Sequence, residues 1–241
     1  MKHFDWVLNS RPLRYLILGA FALWILSPYF TTGYYLDDSQ NSTLASYLSL
    51  RNLTIHQFIH DQILGWMFGN GRLYPLGLTW DYLQWYLVRD LGSYRLLQMG
   101  LVLSNIMLFV ALVRSLGATR GLALLSGLTV LCLFQLRGYH DPISSYSCLM
   151  QVGFALGSAS LLLFSEFWKN NSALALYSSL GLYASALLLY EPELAFFPVL
   201  FFMTRQHAPS GKSLPARWGH LSLTLLYLAA VCYLRITHPP Y

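Results

Sequence analysis

Charge is what this chain has least of. Lys, Arg, Asp and Glu together make up 10% of its 241 residues, against about 25% in soluble domains. An ordinary water-soluble globule is therefore excluded, because a core of this length could not hide so much apolar surface. Cysteine is also scarce. Cys132, Cys148 and Cys232 lie in or beside apolar runs with no metal-like spacing, which excludes a disulfide framework and points to buried, inert thiols. No glycine-rich phosphate cradle, no Gly-x-Ser-x-Gly elbow and no Cys-x-x-Cys pair occurs, so the reactions those motifs announce have no foothold. There is no internal repeat and no low-complexity segment. The net charge is +5, but the basic residues stand singly between apolar segments, and no basic stripe offers itself to nucleic acid.

What is present is hydrocarbon: 56% hydrophobic residues, 16% aromatic ones and a mean hydropathy of +0.46. Lipid accepts apolar faces that water rejects, so the chain is expected to be a multi-pass integral membrane protein. The expected fold is all-α: a polytopic transmembrane helix bundle of about seven spans in one domain covering residues 1–241. The spans are expected near 13–30, 94–113, 121–136, 146–168, 173–190, 194–204 and 218–236. The first follows Lys2, Arg11 and Arg14, is too long for a signal-peptide core and has no cleavage site after it, so it reads as an uncleaved span. Small residues crowd the fourth and fifth spans (Gly153, Gly157, Ser158, Ser178, Ser179, Gly181), as close helix packing in lipid favours.

Residues 31–92 form a long outer loop between the first two spans. Within 52–76, Leu53, Ile55, Phe58, Ile59, Ile63 and Leu64 recur near helical spacing, which predicts an amphipathic helix lying along the interface. "GNG" at 69–71 and Pro75 should break it.

Basic residues set the orientation. With the N-terminus cytoplasmic, Lys2, Arg11, Arg14, Arg114, Arg120, Lys169, Arg205, Lys212 and Arg217 fall inside. The acids, which play no part in that assignment, then sort to the extracytoplasmic face. Asp37, Asp38, Asp61, Asp81, Asp90, Asp141, Glu191 and Glu193 are all outside, and only Asp5 and Glu166 are not. Three motifs at span ends thereby share one face: "YYLDDSQ", "GYHDP" and "LYEPE".

Each motif has a plain reading and a chemical one. Asp37 and Asp38 are a solvated acid pair at a helix end, or a general base, proton donor or metal ligand. His140 and Asp141, beside Arg137, are a helix-capping turn, or cations and a proton donor toward a leaving phosphate. Glu191, between Tyr190 and Pro192, is the strongest of the three, because ionisable groups within apolar runs are functional by default. Arg72 and Tyr74, between helix breakers, either anchor the interface or bind a phosphate bidentately. His56 and His60 stand one helical turn apart, without a third ligand nearby, and no metal site is assigned.

An acid pair after the first span, a long first outer loop with an interfacial helix, and acids at later outer span ends resemble the GT-C superfamily of polytopic glycosyltransferases. "YYLDDSQ" is similar to that family's acidic motif, "GRLYPL" to an arginine-containing segment of the same loop, and Tyr190–Glu191 to a span-end motif. The resemblance implies transfer of a sugar from a polyprenyl-phosphate donor to an acceptor on the outer face of the membrane. It implies Asp37 or Asp38 as the catalytic base; with Glu191 these are the expected catalytic residues, and sugar transfer from a lipid phosphate makes Arg72, Tyr74, Arg137, His140, Asp141 and Tyr190 the expected substrate-binding ones. The partners expected are the lipid-linked sugar donor and membrane lipids. No cofactor is expected, with a divalent cation left open. Members of the superfamily usually carry more spans than this chain, which leaves a partner subunit open as well. The competing expectations are a transporter or lipid-handling membrane protein, and a non-catalytic subunit of a membrane complex.

Overall fold

In a computed structural model, residues 10–31, 33–34, 37–133, 148–207 and 214–239 are described, and among them the structure is all-helical, with no strand. The helices are α1 (Arg11–Leu26, continued by a 3-10 turn, Ser27–Phe30), α2 (Asp37–Asn41), α3 (Leu44–Arg51), α4 (Ile55–Asn70), α5 (Pro75–Leu87) and α6 (Leu91–Ser115). They are followed by α7 (Arg120–Leu133), α8 (Leu149–Asn170), α9 (Ala173–Leu189), a 3-10 segment (Glu191–Phe196), α10 (Phe197–His207) and α11 (Leu214–Thr237).

Among the described residues, three helical stretches are long and apolar enough to cross a membrane: Leu91–Ser115, Leu149–Asn170 and Trp218–Thr237. Tyr15–Phe30, Arg120–Cys132 and Ala173–Leu189 are apolar but shorter. The sixth expected span differs most. Pro192 opens a 3-10 segment there, and α10 has only 11 residues, a rise of about 16 Å against a hydrocarbon layer of about 30 Å.

The expected outer loop, 31–92, is also different: it folds into four helices, α2 to α5. The helix foreseen within 52–76 is α4. Thr54 caps it through a reciprocal pair, its hydroxyl accepting from the Gln57 amide at 3.3 Å and its own amide donating to Gln57 Oε1 at 3.0 Å. The "GNG" break is Gly71 in the left-handed region at φ 61°, and Pro75 opens α5. What a linear reading misses is that these helices bury one another. Leu44, Leu48, Ile55, Ile59 and Trp85 form a core with Tyr94 of α6 and Cys148.

Two further cores hold the bundle. Leu18, Ala22, Leu26 and Tyr29 pack with Met99, Val102, Ile106 and Leu131, joining α1, α6 and α7. Leu161, Phe164, Phe167, Leu176, Tyr183, Leu187, Leu200 and Tyr227 join α8, α9, α10 and α11. The small residues of α8 and α9 meet as expected: the Ser160 hydroxyl donates to Ser179 O at 2.9 Å, and the Ser179 hydroxyl donates to Ser160 O at 2.8 Å. One and two turns earlier on α8, Gly157 and Gly153 receive the 3-10 segment. A Cβ on Gly153 would stand 2.1 Å from Glu193 Oε1, and one on Gly157 would stand 2.3 Å from the Phe196 ring.

Candidate functional site

The bridge between α4 and α5 is only four residues long, Gly71 to Tyr74. Gly71 is required twice over: its φ suits glycine, and a Cβ there would lie 2.7 Å from His238 O at the end of α11. That close approach brings the C-terminal end of α11 against the bridge, and the Tyr227 hydroxyl adds a bond to Leu73 O at 3.2 Å. Arg72 then projects with its guanidinium 4.7 Å from the Tyr74 ring centroid and 5.7 Å from that of Trp66. Its Nε donates to Glu191 Oε1 at 3.4 Å, while Arg235 Nη2 reaches Glu191 Oε2 at 3.3 Å. Two guanidiniums thus share one carboxylate, and the trio keeps a net positive charge.

α5 begins at Pro75, and its first turn lies against the end of α9, with Gly77 facing Leu189 O. Tyr74, Leu78, Asp81 and Tyr82 follow on one face of this helix. They line a cleft of about 410 Å³ whose other walls are Gln40 and Asn41 of α2, Gln62 and Trp66 of α4, Arg72, Leu149 and Tyr190. The size suits a small-molecule headgroup. Asn41 Nδ2 donates to both carboxylate oxygens of Asp81, at 3.2 and 3.3 Å, and the Tyr82 hydroxyl donates to Gln62 Oε1 at 3.3 Å. Burial holds the Tyr74 and Tyr190 hydroxyls above the usual phenol range, so both stay protonated donors. Aromatic walls with amides, one carboxylate and one guanidinium make a lining suited to a sugar bearing a phosphate.

Of the residues singled out from the sequence, Arg72, Tyr74 and Tyr190 line this cleft. Glu191 stands behind it as the partner of Arg72. Asp38 does not line it. Its side chain is fully buried, one turn before Asn41, and accepts from the Tyr94 hydroxyl; Arg95 alongside donates to Gly33 O. That arrangement ties α2 down to α6. Asp37 starts α2, but its side chain, like Arg137, His140 and Asp141, lies outside the described residues. His56 and His60 are exposed, and among the described residues no group of three His, Cys, Asp or Glu side chains could hold a metal ion. Of the three cysteines expected to be buried, Cys148 is, and burial pushes its thiol well up, whereas Cys132 and Cys232 are exposed.

The residues missed are Asp81, Asn41, Gln40, Gln62, Trp66 and Tyr82. Asp81 did carry a signal. It lies within the aromatic stretch "TWDYLQW", where an isolated carboxylate on an otherwise apolar helix needs a reason.

Below the cleft, one turn along α8 from Leu149, Glu193 sits against Gly153 and is 6% exposed. Burial pushes its carboxyl up to about 8 from an ordinary 4.5. The folded state therefore holds a proton that the unfolded state has already released. Stability is full below the ordinary carboxyl range and falls as pH rises toward the folded value. Wild-type protein in detergent is expected to lose up to about 1.4 kcal/mol per pH unit from this group alone across that window. Glu193→Gln should flatten that slope in thermal unfolding measured at pH steps. An unchanged slope would show that Glu193 is not the group responsible.

No family model matches the chain, and no curated protein and no solved structure matches it either, so its chemistry is argued from this cleft and its walls.

Proposed function

We propose that the chain is a membrane glycosyltransferase that takes a sugar from a polyprenyl-phosphate donor on the extracytoplasmic face. In this reading the shorter apolar helices cross the bilayer alongside the long ones, the N-terminus is cytoplasmic, and the cleft opens at the outer boundary. The observation that supports it best is the pairing, in one aromatic-walled cleft, of the Asp81 carboxylate with the Arg72 guanidinium. Asp81 takes the proton of an acceptor hydroxyl, and the acceptor oxygen attacks the anomeric carbon. The bond from that carbon to the phosphate oxygen breaks, and the phosphate leaves with the electron pair, met by Arg72. Trp66, Tyr74 and Tyr190 hold the sugar by ring faces and hydroxyls, while Gln40, Asn41 and Gln62 supply amide contacts. The catalytic carboxylate is thus Asp81, with Glu191 holding Arg72 in place.

The test is transfer of radiolabelled sugar from a panel of polyprenyl-phosphate sugars by the protein reconstituted in vesicles. Arg72→Gln should raise the KM for the donor and lower kcat together, by roughly a hundredfold in kcat/KM. Arg72→Lys should recover only part, because a point charge replaces a planar fork. Wild-type protein that binds lipid-linked donors yet transfers nothing, while moving them between leaflets, would favour the lipid-handling reading instead.

A further inference from the structure

At the opposite end of the bundle lies a second cleft, of about 380 Å³, between the start of α1, the end of α6 and the start of α7. Its walls are apolar, from Leu18, Val110, Ala111 and Leu124, and its mouth carries Tyr15, Arg114 and Arg120. Arg114 lies about 20 residues along α6 from Tyr94, a rise of roughly 30 Å and close to one bilayer thickness. Both arginines are exposed. Arg114 is steadied by a bond from Nη1 to Ala118 O across the turn, which holds the guanidinium over the opening. A deep neighbour makes the cleft a fixed feature: Gly127 of α7 brings that helix against Val110, where a Cβ would stand 2.6 Å from Cγ2.

We propose that this cleft is a binding site for an anionic phospholipid of the leaflet that borders it. Its phosphate meets Arg114 and Arg120, Tyr15 donates to the headgroup, and one acyl chain lies along Leu18, Val110 and Leu124. A half-apolar lining under two cations fits a lipid phosphate better than a free one, since free phosphate gains nothing from the aliphatic wall. The site does not depend on sugar transfer. It requires only that the chain be membrane-embedded, which resistance to alkaline carbonate extraction reads separately.

The experiment is native mass spectrometry of the full chain, released from nanodiscs of phosphatidylcholine mixed with phosphatidylglycerol. The wild type should retain phosphatidylglycerol preferentially. Arg114→Gln with Arg120→Gln should reduce that retention roughly tenfold. Arg114→Lys with Arg120→Lys should keep much of it, and Ala111→Phe, which fills the cleft without touching charge, should also reduce it. Thermal stabilisation by phosphatidylglycerol that inorganic phosphate reproduces equally would overturn the lipid assignment. Equal retention of the two lipids, or retention unaffected by both Ala111→Phe and the glutamine pair, would overturn the site itself.

Discussion

Asp81→Asn is expected to cut sugar transfer by about a hundredfold to ten-thousandfold while leaving the protein folded and inserted. The amide keeps the shape, and its oxygen still accepts from Asn41 Nδ2, which now reaches both carboxylate oxygens at 3.2 and 3.3 Å. What it cannot do is take a proton from an acceptor hydroxyl. Donor binding should be nearly unchanged, because Arg72 and the aromatic walls are untouched, so the loss should appear in kcat rather than KM. Asp38→Asn is the informative contrast. Asp38 is fully buried beneath the Tyr94 hydroxyl, so any loss of activity there should track loss of folded protein. A fully active Asp81→Asn enzyme would remove Asp81 from the chemistry.

The contrast between these two acids shows what was legible in the chain. Composition and apolar runs disclosed the helices and the stretches apolar enough to cross a membrane, because charge depletion and apolar runs are properties of single segments. The start and end of α4 could be read from Thr54, Gln57, Gly71 and Pro75, since caps and breakers act locally. Arg72, Tyr74 and Tyr190 were found because helix breakers and span ends mark where a chain turns toward a boundary. Which acid enters the cleft was not legible, since that is decided by partners far along the chain. Asp38 is taken by Tyr94, 56 residues away, and Asp81 is oriented by Asn41, 40 residues away. Likewise the 31–92 segment reads as a loop only until its apolar residues are seen to cover each other, which is a tertiary property.

The same seam that builds the cleft predicts the largest effect on the fold. Alanine normally stabilises a helix relative to glycine, by about 1 kcal/mol, and Gly65 within α4 has nothing within 4 Å of the added Cβ. Gly65→Ala should therefore raise the midpoint of thermal unfolding slightly. Gly77→Ala should do the opposite. Its Cβ would stand 2.2 Å from Leu189 O, 3.1 Å from Tyr74 Cδ2 and 3.3 Å from Leu149 Cδ1. The first of these is backbone at the end of α9 and cannot rotate away, so α5 has to shift. A cost of about 3 kcal/mol, at the upper end of overpacking penalties, is expected. The shift also moves Tyr74 and Leu149, which both line the cleft. Activity in whatever folded Gly77→Ala protein remains should therefore fall as well, because misplacing positioning groups by even an ångström is costly to a reaction. A Gly77→Ala protein as stable and active as the wild type would show that α5 and α9 do not meet at this seam.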